Sequence, residues 1–218
     1  MCSSDLGKSV LALDVAARLT RGAAWPEDER QGDKETGRQG VTASNSSLSL
    51  SPCLPVSLSG RPTDGATEPN VAEPGSVLIL SAADHLTDTI RPRLDAASAD
   101  PSRVFILPSI TDLRHDFGQL KAAVDRAPNC RLIIVDPVNA FVGPSDSHFH
   151  TVVRRVLAPL TRLAAEKRIA VLAVTQFRKI DGPAIHRAAG SMGFVAAAQS
   201  LWAVCRDTQD PKIGRAHV

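Results

Sequence analysis

Three short strings in this 218-residue chain set reactive side chains where phosphate and metal chemistry would need them. Gly7-Lys8-Ser9 opens an apolar-periodic stretch and matches the back half of a G-x-x-x-x-G-K-[ST] loop. Phosphate oxygens want backbone N–H donors at a helix N-terminus, so small residues must let them approach. Lys8 would add a point charge, and Ser9 a hydroxyl able to ligate Mg2+. The first glycine of that pattern should stand at position 2, where Cys2 is found. Further along, Arg131-Leu-Ile-Ile-Val-Asp136-Pro137 carries one carboxylate out of a buried apolar run. An aspartate so placed can hold a metal-bound water while staying ionised, or can simply cap the turn before Pro137. Val171-Leu-Ala-Val-Thr175-Gln176 ends another apolar run on polar residues. Gln176 there could hydrogen-bond a terminal phosphate or its attacking water, or face solvent.

Elements of defined order must bring these strings together. Val10, Leu11, Leu13, Val15, Ala16 and Leu19 recur at helical spacing, and Gly22 supplies a C-cap, so residues 8–21 read as a helix. Residues 76–80, 104–107, 132–135 and 169–174 are short all-apolar runs and read as buried strands, with 201–204 as a fifth. Between them, 85–97 (Leu86, Ile90 and Leu94 on one face), 115–127 and 149–167 keep a helical period. All-apolar strands alternating with helices indicate a largely parallel sheet covered on both faces, which binds ligands beyond its strands' carboxyl ends.

Residues 27–73 differ. A Ser cluster from Ser44 to Ser59, together with Pro52, Pro55, Pro62 and Pro69, breaks every period, and the stretch reads as a disordered insertion. The two ends, Met-Cys-Ser-Ser-Asp-Leu and Ile-Gly-Arg-Ala-His-Val, read as translated sequencing adaptor at 1–6 and 213–218.

Composition narrows the classes of function. Aromatic residues make up 4%, with no Tyr, too few for base-stacking single-strand surfaces. The net charge of +2 carries no strong polyanion-binding field. Apolar runs are too short to span a bilayer. Cys2, Cys53, Cys130 and Cys205 form no CxxC pair, which argues against a zinc site or disulfide framework and fits a reducing cytoplasm. His85, His115, His148, His150, His186 and His217 form no spaced metal set.

Five strings then carry a resemblance: GKSVLALDVAARLTRGAAWP, SVLILSAADHLTDTIRPRL, RLIIVDPVNAFVG, VLAVTQFRK and HRAAGSMGFVAAAQSLWAV. Over residues 7–26 and 74–211 the chain resembles the RecA-like P-loop ATPases. Within them it is most similar to the RepA-type branch of AAA-family ATPases, which includes hexameric plasmid helicases. The resemblance implies an α/β fold: a RecA-like P-loop NTPase core with a mostly parallel sheet flanked by helices, here with its first strand missing. It implies a P-loop helix at 7–26 and the remainder of the ATPase domain at 74–212. ATP and Mg2+ follow as ligands, with Gly7, Lys8 and Ser9 at the nucleotide, Ser9 and Asp136 at the metal, and Gln176 as the sensor. A homo-hexamer acting on DNA, with no membrane partner, follows by the same analogy. Lacking that first strand, these 218 residues are expected to fold marginally, to bind ATP weakly or not at all, and to be inactive.

One position departs from the pattern. Relatives carry S-A-E-D after the second strand, where the Glu is the expected general base; here the string is Ser81-Ala82-Ala83-Asp84. Asp84 is the nearest carboxylate left to orient water. If it fails in that role, the chain is a nucleotide-binding regulatory or assembly module with little hydrolysis. Arg187 and Arg206 are candidates for a finger reaching a neighbouring subunit's site, and Arg178 and Lys179 could also face phosphate. For any one of them the ordinary role is a solvated surface cation.

Overall fold

The computed structural model describes residues 7–25, 73–82, 84–143, 150–178, 184–206 and 214–217. The chain divides into two units, residues 1–24 with 71–218 and residues 25–70. The fold described below is that of the first unit. Residues 1–6, and all of the 27–73 stretch except Glu73, lie outside the described residues.

Helix α1 spans Lys8–Arg21 and stops at Gly22, whose φ of 65° lets its N–H reach back to the carbonyls of Arg18 and Leu19. Strand β1 (Ser76–Ser81) follows, then a wide turn of π type at Leu86–Ile90 that runs straight into α2 (Arg91–Ala96). Strand β2 covers Val104–Ile106, α3 Phe117–Arg126 and β3 Cys130–Asp136. Helix α4 (His150–Lys167) and strand β4 (Ala170–Ala173) complete the main sheet. Its strands are all parallel, in the order β2-β1-β3-β4. Parallel neighbours need crossovers, and the helices between them provide these on both faces.

The period-2 alternation of the strands sorts the core into two clusters. Leu78 and Leu80 of β1 and Ile133 and Val135 of β3 face Leu120 and Val124 of α3 and Val153, Val156 and Leu160 of α4. Val77 and Ile79, with Leu132 and Ile134, face Ala12, Leu13 and Ala16 of α1 and Ile90 and Leu94. Burying a leucine or isoleucine fully contributes about 1.5–3 kcal/mol, so both faces of β1 and β3 hold the sheet together.

Two expectations change. The helix expected over 85–97 opens with a π turn, in which the N–H of Ile90 reaches His85 O at 3.1 Å. Pro92 sits in the first turn of α2. It has no N–H, and its ring crowds the carbonyl four residues earlier, which a widened turn relieves. The extra residue shifts the phase of the helix, so Ile90 and Leu94 are buried while Leu86 is 46% exposed.

The fifth strand, expected at 201–204 within the parallel sheet, is instead β5 at Ala203–Arg206. It pairs antiparallel with β6 (Gly214–His217) in a separate two-stranded ribbon. The ribbon thus draws in backbone from the 213–218 terminus. A short helix, α5 (Met192–Ala197), precedes it, capped by Ser191, whose Oγ accepts the Gly193 N–H at 3.0 Å.

Candidate nucleotide site

Ser81 and Asp136 are register partners at the carboxyl ends of β1 and β3. Each continues the alternation that puts Val77, Ile79, Leu132 and Ile134 on the α1 side of the sheet. Parallel pairing therefore delivers both polar ends to the N-terminus of α1, the edge where such sheets take ligands. Gly7 stands at that N-terminus with φ 77°, and a Cβ there would meet no atom within 4 Å. It is the left-handed backbone, not crowding, that calls for glycine. The first turn of α1 carries no acidic residue and no side-chain cap, so no carboxylate of its own competes for its backbone donors.

Ser9 and Asp136 line the same cavity, and the Ser9 hydroxyl favours the charged form of the Asp136 carboxylate. Asp136 is thereby engaged toward α1, and the turn after Pro137 has no side-chain cap. Burial pushes the Asp136 carboxyl above its ordinary value, and the negative Asp84 adds to that. The Ser9 hydrogen bond and the charges of Lys8 and Arg93 pull the other way.

Asp84 is held at both ends. Its N–H donates to Ser81 Oγ at 3.3 Å, and its Oδ2 accepts from Arg93 Nη1 at 3.0 Å. Ser9, Ser81, Asp84 and Asp136 line a cavity of about 10 Å3, with Leu13, Ile79, Ile90 and Ile134 as its apolar wall. That is room for one water or one small ion.

The donor set suits Mg2+. All four polar groups offer oxygen, the hard donor that this cation selects. Among the described residues no three His, Cys, Asp or Glu side chains form a metal cage. A cation here would keep water and substrate phosphate in its shell, as Mg2+ commonly does.

The remaining candidates form a second group. Beyond β4, Gln176 O accepts from Ala189 N at 2.7 Å, Arg178 N donates to Arg187 O at 2.6 Å, and Phe177 bridges Ala188. Arg187 lies over the Phe177 ring, its guanidinium carbon 5.3 Å from the centroid, and its Nε is buried with no hydrogen-bond partner among the described residues. This is a part-buried cation stacked on an aromatic face rather than a solvated one. Arg178 is solvated and donates from Nη2 to His186 O. The backbone of Arg206 lies on β5, while its side chain, Ala83 and Lys179 fall outside the described residues.

Lys8, Ser9, Asp84 and Asp136 thus converge, while Gln176 and Arg187 lie on separate positions of the bridge beyond β4 and line none of the cavity. Ser81 and Arg93 belong to the first group; Ser81 entered the sequence reading only as the start of the Ser81-Ala82-Ala83-Asp84 string, and Arg93 carried no signal there. Ser81 is a strand-end serine like many others. Arg93 becomes a neighbour of Asp84 only through the π turn.

A family model described as AAA domain matches residues 36–182, more than half of the chain. The matched span takes in Asp84, Asp136 and Gln176 and begins downstream of Gly7-Lys8-Ser9. No curated protein matches the chain.

Proposed function

The chain belongs to the AAA domain family of nucleotide-binding ATPases, and from that premise we propose that it binds ATP with Mg2+ at the N-terminus of α1 and hydrolyses it, in place of the inactivity expected from the missing first strand. The observation that carries this reading is the convergence of Ser9, Asp84 and Asp136 on one small cavity beside Gly7 and Lys8. Backbone N–H groups after Gly7 and the Lys8 ammonium would hold the phosphates. Ser9 and Asp136 would hold Mg2+, which when bound offsets charge on the phosphate oxygens. Asp84 would orient the attacking water, and Gln176 would hydrogen-bond near the terminal phosphate. An arginine from a second copy, Arg187 or Arg206, would approach as charge develops.

The finer reading is a RepA-type DNA helicase or replication protein, working as a cytoplasmic homo-hexamer. It is supported by the resemblance of the five strings. ATP turnover by the chain and by Lys8→Ala tests the ATPase assignment. Loss of about 100-fold or more is expected for removal of a phosphate-binding group; equal turnover rejects the assignment.

A second reading, a nucleotide-binding regulatory or assembly module with little hydrolysis, is favoured by one specific residue. Ala83 cannot accept a proton, and the neighbouring Asp84 is already engaged by Arg93. Turnover of Ala83→Glu separates the two. A large gain means that the missing carboxylate limits the native chain, and no gain counts against that reading.

A further inference from the structure

We propose that Arg93 is a positioning residue for this site: it fixes the Asp84 carboxylate at the wall of the cavity and balances its charge beside Asp136. The inference rests on the ATPase reading above.

The geometry has three parts. First, Arg93 Nη1 donates to Asp84 Oδ2 at 3.0 Å, and the two side chains are 40% and 26% exposed. An exposed surface pair of this kind contributes little to stability, so its placement matters more than its strength. Second, that placement is set by the core. Ile90 and Leu94, 3% and 4% exposed, flank Arg93 in sequence and are packed under α1, and Ile90 also walls the cavity. The guanidinium is therefore carried on a turn that cannot drift without unpacking α1. Third, Asp84 and Asp136 both line the cavity, so the guanidinium held on Asp84 stands at the wall the two carboxylates share. Without a cation at position 93, two carboxylates would face one another across the cavity, and Asp84 would be free to swing away from it.

Asp84 is one methylene shorter than a glutamate, so it has less reach toward a water and more need of a fixed anchor. Ser81 fixes its backbone and Arg93 its carboxylate. Arg93 acts through Asp84 and is not itself placed against the phosphates.

The test is steady-state ATP turnover with saturating Mg2+ on the full chain, for Arg93→Ala, Arg93→Lys, Asp84→Asn and the Arg93→Ala/Asp84→Asn double variant. Each is checked by thermal melting for an intact fold. Arg93→Ala should lower kcat about tenfold or more while changing KM for ATP less than about threefold, because a misplaced water-orienting group costs rate rather than ground-state binding. Arg93→Lys should recover part of that loss. In the Asp84→Asn background Arg93→Ala should add nothing, the signature of two residues acting as one unit.

If the unaltered chain turns over ATP and Arg93→Ala leaves kcat within about twofold, the positioning role is rejected and the ATPase reading stands. Additive losses in the double variant also reject it. Binding of Mg–ATP without turnover by the unaltered chain rejects it as well, since Asp84 then orients no productive water. If the unaltered chain neither binds nor hydrolyses ATP, both readings fall together.

Discussion

Asp136 carries opposed demands. Its carboxylate must be ionised to hold a cation, yet burial raises its pKa and Asp84 adds repulsion. A carboxyl raised in the folded state favours the fold at low pH and opposes it as pH rises through the folded value. Removing the charge should therefore stabilise the metal-free protein at neutral pH. Asp136→Asn keeps an oxygen that can accept from Ser9, so a higher Tm than the unaltered chain is expected, together with loss of Mg2+-dependent ATP binding. Differential scanning calorimetry without metal, paired with ATP titrations in Mg2+, checks both halves. A lowered Tm would show that the Asp136 charge is already offset by Lys8 and Arg93. Legibility at this scale followed residue type. Lys8, Ser9 and Asp136 stood out because glycine, lysine, serine and a strand-end aspartate sit at chemically meaningful spacings. Arg93 did not, because an arginine beyond a helix start looks like surface charge until the turn that aims it is known.

Among the elements, α2 has the largest consequence for its size. It has six residues, too few to be stable alone, so its orientation comes from packing. Leu94, 4% exposed under α1, is the principal contact of its buried side. Leu94→Ala should cost about 3 kcal/mol, read as a shift of the urea midpoint at unchanged slope. It should also lower ATP turnover beyond what the stability loss explains, because Arg93 moves with the helix. Turnover per folded molecule equal to that of the unaltered chain would show that Arg93 is placed independently of this packing.

The strands and α1 were readable from the sequence because unbroken apolar runs and a clean helical period each have one physical reading. The π turn was not: proline at position 92 reads as an acceptable early helix residue, and only the observed hydrogen bonds show the turn widened ahead of it. The ribbon of β5 and β6 was missed for a different reason. An apolar run specifies burial or pairing but not the partner, and here the partner comes from beyond the candidate strand. Helix α5 was missed because six residues containing Gly193 carry little period, although Ser191 preceding it is a readable cap.

For the molecule as a whole, the acidic side chains predict an asymmetric response to pH. Hydrogen bonds from Ser102 hold Asp100 below the ordinary aspartate value of 3.8, and the Arg114 side chain does the same for Asp112. Backbone N–H groups of Thr111 and Asp112 lower Asp116, and the Lys167 ammonium lowers Asp125. A carboxyl depressed in the folded state contributes stability that is present above its unfolded value and lost as pH falls through the folded one. Once Asp136 is protonated, further acidification should therefore lower the Tm, with the fall lying below about 4. Asp116→Asn should shallow that fall, because the Thr111 and Asp112 N–H groups then meet a neutral acceptor. Melting curves across that range check this, and an unchanged acid slope in Asp116→Asn would assign the acid sensitivity to the other three. No helix among the described residues is long and apolar enough to cross a membrane.

The sheet also divides the molecule into unequal halves. The α3 and α4 face is built on large side chains, Leu120, Val153, Val156 and Leu160, while the α1 face relies on Ala12, Ala16 and Leu13. Small side chains bury less area, so the half formed by α1 and α2 is expected to open at lower free energy than that of α3 and α4. The site sits on that half. A ligand bridging the first turn of α1 to the ends of β1 and β3 would act as a clasp across the weaker seam. Its arrival would register in native-state hydrogen exchange as slowed amides along α1 and α2, with those of α3 and α4 unchanged.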